Sequence, residues 1–381
     1  MTHAHTASPV RLAALQRRQS SSRGSSSSRN HQMRVCSRLL SSVLINKHHL
    51  MKMKMKIGTH NGTFHCDEVL ACFLLRQLPE YKDAEIVRSR DASVLAECDV
   101  VVDVGGEYDH SRQRYDHHQR AFAESFHSVC AQKPWVTKLS SAGLVYVHYG
   151  RRVLQQLTHL QEDEPQLEVL YDKMYEGFVE EVDAVDNGIS QSDGEQRYTI
   201  SSTISSRVSY LNPQWNSKEQ DTEEGFRKAL ALVGSEFQDR LLYFTNAWLP
   251  ARDVVLQAIK SRHQVDVSGQ VLLLQQGGCP WKEHLFALEK ELQLQELIKF
   301  VLYCDQNGHW RVQCVPAGPN TFQNRLSLLE EWRGLRDDAL SELSGIPECI
   351  FVHAGGFIGG NKTQSGALEM ARRTLQTAPT H

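Results

Sequence analysis

The sequence predicts an α/β protein with a mainly parallel sheet flanked by helices and a second, smaller α/β domain. One observation is the uninterrupted valine run Val100–Val102, bracketed by Asp99 and Asp103. Such a run is typical of a strand covered on both faces, as in a parallel sheet. Another is that short apolar strands alternate with helical patterns through residues 56–210, and that further strands and a hairpin pattern recur after residue 266.

Size and composition set broad limits. The chain has 381 residues, which is long enough for two domains and a sizeable core. A net charge of −3 gives no general attraction for nucleic acid, so polyanion binding would need a local basic groove. No apolar run approaches the ~20 residues that span a bilayer, so we expect no membrane association. The nine scattered cysteines form no Cys-x-x-Cys pair, which argues against a disulfide framework and fits a reducing compartment.

Residues 1–55 are predicted to be a disordered targeting segment. They are rich in arginine and serine, and no Asp or Glu precedes Asp67. This composition is typical of a mitochondrial transit peptide. The alternative is a disordered basic tail. Later methionines, such as Met33 and Met51, would permit a shorter cytosolic or nuclear form.

Residues 56–210 are predicted to form the first domain. A strand at 56–62 leads through a turn into a buried helix at 68–75, with Asp67 at the N-cap position. The turn therefore holds His60, His65 and Asp67 together. In an open α/β sheet, ligands bind at this carboxyl-end edge.

Asp103 follows the valine strand, where an unpaired carboxylate would be costly to bury. We therefore expect it to bind a cation; the alternative is a strand-end Asp that caps the next turn. Further along, Tyr115-Asp116-His117-His118 combines a carboxylate with imidazoles, which suits Mn²⁺, Mg²⁺, Zn²⁺ or Fe²⁺. The alternative is an exposed histidine pair on a loop.

Two helices complete the first domain. The first begins at Ser140 and Ser141. The second, over roughly 165–187, ends in Asp183-Ala184-Val185-Asp186-Asn187-Gly188. A carboxylate at a helix C-terminus opposes the helix dipole, so a metal explains Asp186 better than capping does. A solvated acidic helix end is the alternative.

The predicted connector (211–265) is a long amphipathic helix kinked at Pro250. The predicted substrate-binding domain (266–381) ends in a strand that runs into a glycine-rich loop containing Gly355 and Gly356. This is not a P-loop, because Asn361 precedes Lys362. Glycine-rich backbone that opens a helix can still bind an anion. Residues predicted to hold substrate there are Lys282, Arg325, Arg336, Gly355, Gly356 and Lys362. Glycines needed only for tight packing are the alternative, and Trp281, Phe322 and Trp332 are candidates either for base stacking or for the core.

The motifs taken together resemble known proteins. On an α/β sheet, the order His60-to-Asp67, Asp103, Asp116-His117-His118 and Asp186 resembles the DHH phosphoesterase superfamily. The sequences of the motifs and of the residues around them resemble the melanocyte proliferating gene family more closely, from about residue 56 to the end. The stretches that carry this resemblance are Gly58–Glu68, Tyr115–Arg120, Leu139–Leu144, Val182–Gly188 and Trp332–Arg336.

The resemblance implies a DHH-like fold and a manganese- or magnesium-dependent 3′–5′ exonuclease that acts on single-stranded RNA in mitochondria (matrix) and nucleus. One departure is that the first superfamily motif, His-x-x-x-Asp-x-Asp, is here one residue longer, with His65 replacing the first Asp. Whether His65 is a metal ligand therefore stays open.

The mechanistic hypothesis is that two divalent ions, Mn²⁺ or Mg²⁺, lie about 3.5–4 Å apart and clamp a phosphodiester. Asp103 would bridge them. The other assigned ligands are His60 and His65 for one ion, and Asp67, His117 and Asp186 for the second.

Asp116 and His118, which flank the assigned ligand His117, have supporting roles in this hypothesis. Asp116 would orient His117 from behind, as carboxylates do for ligating imidazoles. His118 would protonate the leaving oxygen or contact the phosphate.

Two other functions fit the sequence. One is hydrolysis of small phosphates, such as pyrophosphate or short oligonucleotides, which the near-neutral charge favours slightly. The other is a metal-stabilised RNA-binding module without turnover. The sequence does not predict the oligomeric state.

Overall fold

A computed structural model describes residues 54–319 and 321–377 of the chain. The predicted targeting segment therefore lies outside the described residues, apart from its last two. Residues from Met55 onward belong to one compact unit. Within the described part, no helix is both long enough and apolar enough to cross a bilayer.

The first sheet has the strand order β2-β1-β3-β5-β4. Its strands are β1 (Lys56–Thr59), β2 (Glu85–Arg88), β3 (Val100–Val102), β4 (Tyr108–Asp109) and β5 (Arg114–Tyr115). The pairs β1–β2, β1–β3 and β3–β5 are parallel, and β4 adds an antiparallel edge. This confirms the predicted mainly parallel sheet, and it brings the carboxyl ends of β1, β3 and β5 to one edge.

Helices pack around this sheet. They are α1 (Cys66–Leu75), α2 (Ala92–Ala96), α3 (Phe126–Val129), α4 (Ser141–Thr158), α5 (Pro165–Met174), α6 (Glu180–Asp186), α7 (Ile204–Ser209) and α8 (Thr222–Tyr243). Every residue of α1 is buried, because the helix lies between the sheet, α4 and α8. The ends of α1 are thereby held in place.

α5 and α6 form one continuous helix through a π-helical turn at Tyr175–Val179. A second π-helical turn, Phe244–Trp248, joins α8 to α9 (Leu249–Val265). Pro250 directly follows this turn, inside a helical run that is unbroken from Thr222 to Val265, and its missing N–H removes one helical hydrogen bond there.

The second sheet has the order β6-β7-β8-β10-β9. Its strands are β6 (Val271–Leu274), β7 (Phe300–Cys304), β8 (Trp310–Cys314), β9 (Cys349–Val352) and β10 (Ile358–Asn361), and its helices are α10 (Lys282–Glu291), α11 (Asp337–Ser344) and α12 (Gln364–Thr377). Only the β6–β7 pair is parallel among these strands as described. The predicted hairpin of β7 and β8 is confirmed.

The hydrophobic cores divide the described chain into two lobes. One core runs from Ile57 to Trp248 and includes α8, and we call residues 55–248 the first lobe. The other cores begin at Val255 and lie around the second sheet, and we call the described residues 249–377 the second lobe. The predicted connector is therefore split, because α8 packs on the first core and α9 packs on β6. The predicted domain limits themselves stay a prediction.

The glycine-rich stretch differs from its predicted geometry. Gly355 and Gly356 form the tight turn between β9 and β10, and Gly356 has a φ of 67°. Gly359 and Gly360 lie within β10, where an added Cβ on Gly360 would come within 3.0 Å of the Phe351 ring. The expectation of a glycine-rich loop that opens the last helix is therefore wrong, and close strand packing explains these glycines.

Candidate metal centre

The predicted ligands of the first lobe meet at one edge of the first sheet. His60 follows β1, Asp103 follows β3, and Asp116, His117 and His118 follow β5. Helix α1 adds Asp67 and Glu68 from its first turn, and α6 adds Asp186 from its last residue. The sheet topology thus brings together residues up to 126 positions apart in sequence, from His60 to Asp186.

Asp103 lies between two histidines. Its Oδ2 is 3.2 Å from Nε2 of His60, and its Oδ1 is 3.2 Å from Nε2 of His117. The residue has a φ of 57°, a left-handed conformation that costs energy for a residue with a Cβ, although Asp tolerates it better than most. Strain of this kind persists where the surrounding structure over-determines it, as it does at functional sites.

One group of side chains lies around His117. Its Nε2 is 3.1 Å from Oδ2 of Asp186 and 3.7 Å from Oδ2 of Asp67. The ligand atoms of His65, Asp67 and Asp186 also lie within 4.8 Å of one another. This arrangement brings together Asp67, His117 and Asp186, as the sequence predicted.

A second group lies around His60. Its Nε2 is 3.1 Å from Oε1 of Glu68, and both side chains are buried. The ligand atoms of His60, His65, Glu68 and Asp103 lie within 4.8 Å of one another. His65 is exposed and belongs by distance to both groups, so its assignment to one ion stays a prediction.

Glu68 is the residue that the sequence analysis missed. It was taken only as the start of α1, yet its side chain is fully buried beside His60. Its two oxygens also accept the backbone N–H of His65, at 2.9 and 3.0 Å, which fixes the turn before the helix. The signal was present in the sequence, because a second carboxylate directly follows Asp67 at the head of a helix that is otherwise apolar.

Asp116 contacts His118 rather than His117. Its Oδ1 accepts from Nδ1 of His118 at 2.7 Å, and its Oδ2 accepts the N–H of Gly106 at 2.6 Å. The prediction that Asp116 orients His117 is therefore wrong. The turn after β5 directs His118, and not His117, toward this carboxylate. The His118 side chain is 63% exposed, so it can meet a substrate.

Asp183 anchors α6 from within the core. It accepts from the N–H and hydroxyl of Ser140, at 2.9 and 2.7 Å, and from the N–H of Gly143 at 3.0 Å. The hydroxyl of Tyr175 donates to its other oxygen at 3.0 Å. Burial raises the pKa of Asp183 to about 7, against the opposing effect of the Ser140 hydrogen bonds. The same helix start places the hydroxyl of Ser141 3.3 Å from Oδ1 of Asp103.

The electrostatics show that the site is built for cations. Burial acts to lower the pKa of His60, but hydrogen bonds to Asp103 and Glu68 outweigh it and raise the pKa to about 10. His117 behaves in the same way, with Asp103 and Asp186 raising its pKa to about 9. Burial and the charges of Asp103 and Asp186 raise the pKa of Asp67 well above its ordinary value. The carboxylates here thus favour positive charge on His60 and His117.

Unpartnered polar atoms test whether a metal fits. Both carboxylate oxygens of Asp67 and Nδ1 of His117 are buried without a hydrogen bond to any described residue, and Nε2 of His117 approaches Asp103 and Asp186 without hydrogen-bonding geometry. Leaving such groups unpaired is costly, so they point to a ligand. Imidazole nitrogens mixed with carboxylate oxygens suit Mn²⁺, Mg²⁺, Fe²⁺ or Zn²⁺. The residues present therefore fit a divalent-metal centre.

The substrate residues predicted in the second lobe are not brought together at this centre. Arg325 is bound to buried Glu289, with Nη1 2.6 Å from Oε1. Arg336 is exposed beside Asp337, and Lys282 lies with Phe322 at a separate cavity. The N–H of Lys362 donates to the carbonyl of Glu348.

The three aromatic residues that were candidates for base stacking differ in their exposure to solvent. Trp281 and Trp332 are buried in the second-lobe cores, whereas Phe322 is fully exposed. Stacking on bases by the two tryptophans is therefore excluded in this arrangement, and Phe322 stays a candidate.

A cavity of about 570 Å³ opens beside the metal centre. All of its lining residues belong to the first lobe. They are His65, Cys66, His117, His118, Lys138, Val182, Val185, Asp186, Asn187, Ser205, Ser206 and Ser209.

Comparison with known proteins then identifies the family. The family model MYG1_exonuc, described as an uncharacterised protein family (UPF0160), matches residues 56–375. The chain belongs to the MYG1 exonuclease family. This confirms the resemblance that the motifs carried.

Individual relatives agree. The MYG1 exonuclease of Bos taurus is 62% identical over 325 residues, covering 85% of each chain. That of Homo sapiens is 61% identical over 321 residues, covering 84% of this chain and 85% of the relative. The MYG1 protein of Saccharomyces cerevisiae is 44% identical over 333 residues, covering 85% of this chain and 96% of the relative.

Among solved structures, a crystal structure of exonuclease RecJ bound to manganese aligns over 87% of this chain and 93% of its own, at 12% identity. The TM-score is 0.22, which is too low to support a conclusion about this chain.

Proposed function

We propose that this MYG1 family member is a divalent-metal-dependent 3′–5′ exoribonuclease that hydrolyses single-stranded RNA. The observation that carries the proposal is the convergence of Asp67, Asp103, His117 and Asp186, with His60 and Glu68 alongside, on one buried edge of the sheet. Membership of an exonuclease family supports nuclease or phosphoesterase chemistry at this centre. RNA as substrate and the 3′–5′ polarity rest on the resemblance of the motifs.

The residues divide the work of phosphodiester hydrolysis. Asp103 would be shared by two ions, Mn²⁺ or Mg²⁺, because it lies within 3.2 Å of both His60 and His117. His60 and Glu68 would hold one ion, and Asp67, His117 and Asp186 the other. Ions bound there would supply Lewis acidity and neutralise the charge of the phosphoryl group.

His118 is placed for proton transfer. Its Nδ1 donates to Asp116, which is an acceptor when ionised, so Nε2 is the ring nitrogen left for substrate. As water attacks phosphorus and the bond to the 3′ oxygen breaks, His118 would give that oxygen its proton. The products are a 5′-mononucleotide and an RNA shortened by one residue.

One experiment tests the proposal. Purified protein with Mn²⁺ is incubated with RNA labelled at either end, single-stranded DNA, pyrophosphate and dinucleotides, beside Asp103→Ala and His117→Ala. We expect a ladder of shortening products from 5′-labelled RNA, immediate release of a labelled mononucleotide from 3′-labelled RNA, and no turnover in either variant. A preparation that hydrolyses RNA equally well after exhaustive chelation contradicts a metal mechanism.

A second candidate is hydrolysis of small phosphates. It is favoured by the cavity beside the centre, which is confined to the first lobe and has a volume of about 570 Å³. Phosphate release from pyrophosphate alone, with RNA intact, would support it. Absence of product with every substrate would favour a metal-stabilised RNA-binding module.

We also propose the mitochondrial matrix and the nucleus as the compartments. The support is the arginine- and serine-rich composition of residues 1–55, which lie almost wholly outside the described residues. Imaging of the full chain beside a chain that starts at Met51 tests this. Loss of the mitochondrial signal in the shorter chain is the expected result.

A further inference from the structure

The cavity beside the metal centre is lined from two parts of the first lobe. His117, His118 and Asp186 are the lining residues that belong to the metal centre. α7 contributes Ser205 and Ser206. The cavity therefore joins candidate metal ligands to a helix that carries serines.

Lys138 supplies the positive charge in this lining. Within the described part of the chain, no carboxylate oxygen lies within 4.0 Å of its ammonium group, whereas Lys133 is paired with both Glu168 and Asp172. The ammonium nitrogen lies 5.6 Å from the ring centroid of Phe122. A lysine that makes no ion pair among the described residues and lines the same cavity as His117 and His118 is available for an anion.

The backbone of Lys138 is fixed independently of its side chain. Its carbonyl accepts from Nδ2 of Asn187 at 3.0 Å, and its main chain bridges to Ser125. Asn187 directly follows the candidate ligand Asp186 and lines the same cavity. The lysine is thus tied to the end of α6, and replacing its side chain leaves these hydrogen bonds in place.

The rest of the lining suits a nucleoside. Val182 and Val185 offer apolar surface, and the hydroxyl of Ser205 is buried without a hydrogen-bond partner among the described residues. Ser209 adds a further hydroxyl at the end of α7. A volume of about 570 Å³ lies within the range of small-ligand sites, which is about 300–1,000 Å³, and it suits a single nucleotide better than a longer strand.

We propose that this cavity is the subsite for the terminal nucleotide of the substrate. Lys138 binds its phosphate next to the metal centre, and the serine face of α7 contacts its ribose. This inference rests on the proposed function, because it names the part of the strand that the same centre cleaves. It also moves substrate recognition at the cleaved end into the first lobe.

Binding of the product tests the subsite without turnover. Calorimetric titration of Mn²⁺-loaded full-length protein with 5′-AMP is compared with inorganic phosphate. AMP is expected to bind more tightly than phosphate, because only AMP fills the cavity. Lys138→Met should weaken AMP binding about tenfold, equivalent to about 1.4 kcal/mol, and Lys138→Arg should keep most of the affinity.

Matched variants control the result. Lys82→Met removes an equally charged side chain that lines a different cavity, and AMP affinity should not change. Ser209→Trp, at an exposed cavity position, should weaken AMP binding while inorganic phosphate binds as before. Mn²⁺ stoichiometry should be unchanged in all four variants.

Two results would overturn the subsite: AMP binding no tighter than phosphate, or full AMP affinity in Lys138→Met. Salt dependence gives an independent reading, since loss of one phosphate contact lowers the slope of log K against log salt for single-stranded RNA by about 0.7. An unchanged slope counts against Lys138. Failure of the proposed function is distinct, because a protein that binds AMP through Lys138 but hydrolyses no RNA keeps the subsite and loses the exonuclease.

Discussion

At the residue scale, Asp103 shows what a single position can reveal. A carboxylate after an uninterrupted valine strand predicted a cation, and the structure places it between two imidazoles. Its left-handed backbone was not predictable from the sequence, because nothing local requires it. Glu68 was missed for a related reason: helix periodicity accounts for a polar residue in a first turn without saying that it is buried.

Asp116 gives the first prediction. Asp116→Asn should lower the turnover of RNA about 100-fold with little change in Mn²⁺ affinity, because the carboxylate holds His118, at 2.7 Å. Steady-state kinetics and Mn²⁺ titration by calorimetry measure the two effects.

The control is His118→Ala, which should give the same turnover and add nothing in the double variant, since the two residues act as one unit. A fall of about 10- to 100-fold in Mn²⁺ affinity would instead mean that Asp116 supports a ligand, as the sequence first suggested for His117.

At the element scale, sequence periodicity predicted most helices and strands to within a few residues. It failed where the decisive contact is distant in sequence. The sequence shows Asp183 only as part of the helix end that carries Asp186, but its partners are Ser140 and Gly143 at the start of α4. No local pattern connects these positions, because the hydrogen bonds form only after both helices have packed.

Gly143 gives the second prediction. An added Cβ would come within 2.3 Å of a carboxylate oxygen of Asp183, so Gly143→Ala should destabilise the protein by about 1–3 kcal/mol, although Ala is the better helix former. Urea unfolding measures the loss.

Gly177→Ala is the control, since its Cβ would meet only the Phe244 ring at 3.4 Å, an ordinary contact. Equal stability of the two variants would show that Asp183 is not held as described.

Arg325 gives the third prediction and replaces the substrate role first expected of it. Its guanidinium contacts both oxygens of buried Glu289, at 2.6 and 2.7 Å, and the carbonyl of Ile298 at 2.9 Å. Arg325→Met should therefore destabilise the protein by about 3–5 kcal/mol, because it leaves Glu289 buried and unpaired. Chemical denaturation measures this.

Replacing both partners, as in Arg325→Met with Glu289→Leu, should recover much of the stability. The outcome that refutes the structural role is a stable Arg325→Met protein with weakened RNA binding.

At the scale of the whole molecule, the strands β1 and β3 of the first sheet were predictable, because buried parallel strands carry continuous apolar runs, whereas β4 and β5 are two residues each and carry no such run. The second sheet is mostly antiparallel, and its glycines turn a hairpin instead of opening a helix. That difference arises because Gly359 and Gly360 pair with β8 and β9, a choice of partner that a strand pattern does not encode. The relation of the lobes follows from such pairings and from the junction at Trp248, whose carbonyl accepts from His284 at 2.7 Å.

The fourth prediction concerns pH and metal together. The pKa values of His60 and His117 are raised to about 10 and about 9, above the ordinary value of 6.5. Their stabilising contribution is complete below the unfolded pKa and is lost as pH rises through the folded values. Chelated protein should therefore lose thermal stability as pH rises from about 7 toward 9.

Mn²⁺ should act in the opposite direction. Binding needs the imidazoles deprotonated, so the rise in melting temperature on adding Mn²⁺ should grow from about pH 6.5 to 8.5. Differential scanning fluorimetry with EDTA or Mn²⁺ measures both trends, and His117→Gln should flatten them. A metal-induced shift that is constant across this range would count against both histidines as ligands.

The π-helical turn at Tyr175–Val179 has a consequence for insertions and deletions. A π-helical turn accommodates one more residue than an α-helical turn. It therefore sets the direction in which the side chains of Asp183 and Asp186 project from the helix. Removing one residue within the turn would convert it to an α-helical turn, whereas adding one residue in the regular helix between Glu180 and Asp183 would rotate both carboxylates by about 100° and carry them away from their partners. The exposed segment at 190–200 bears no such constraint. We therefore expect insertions at 190–200 to be tolerated, whereas an insertion between Glu180 and Asp186 should displace the candidate ligand.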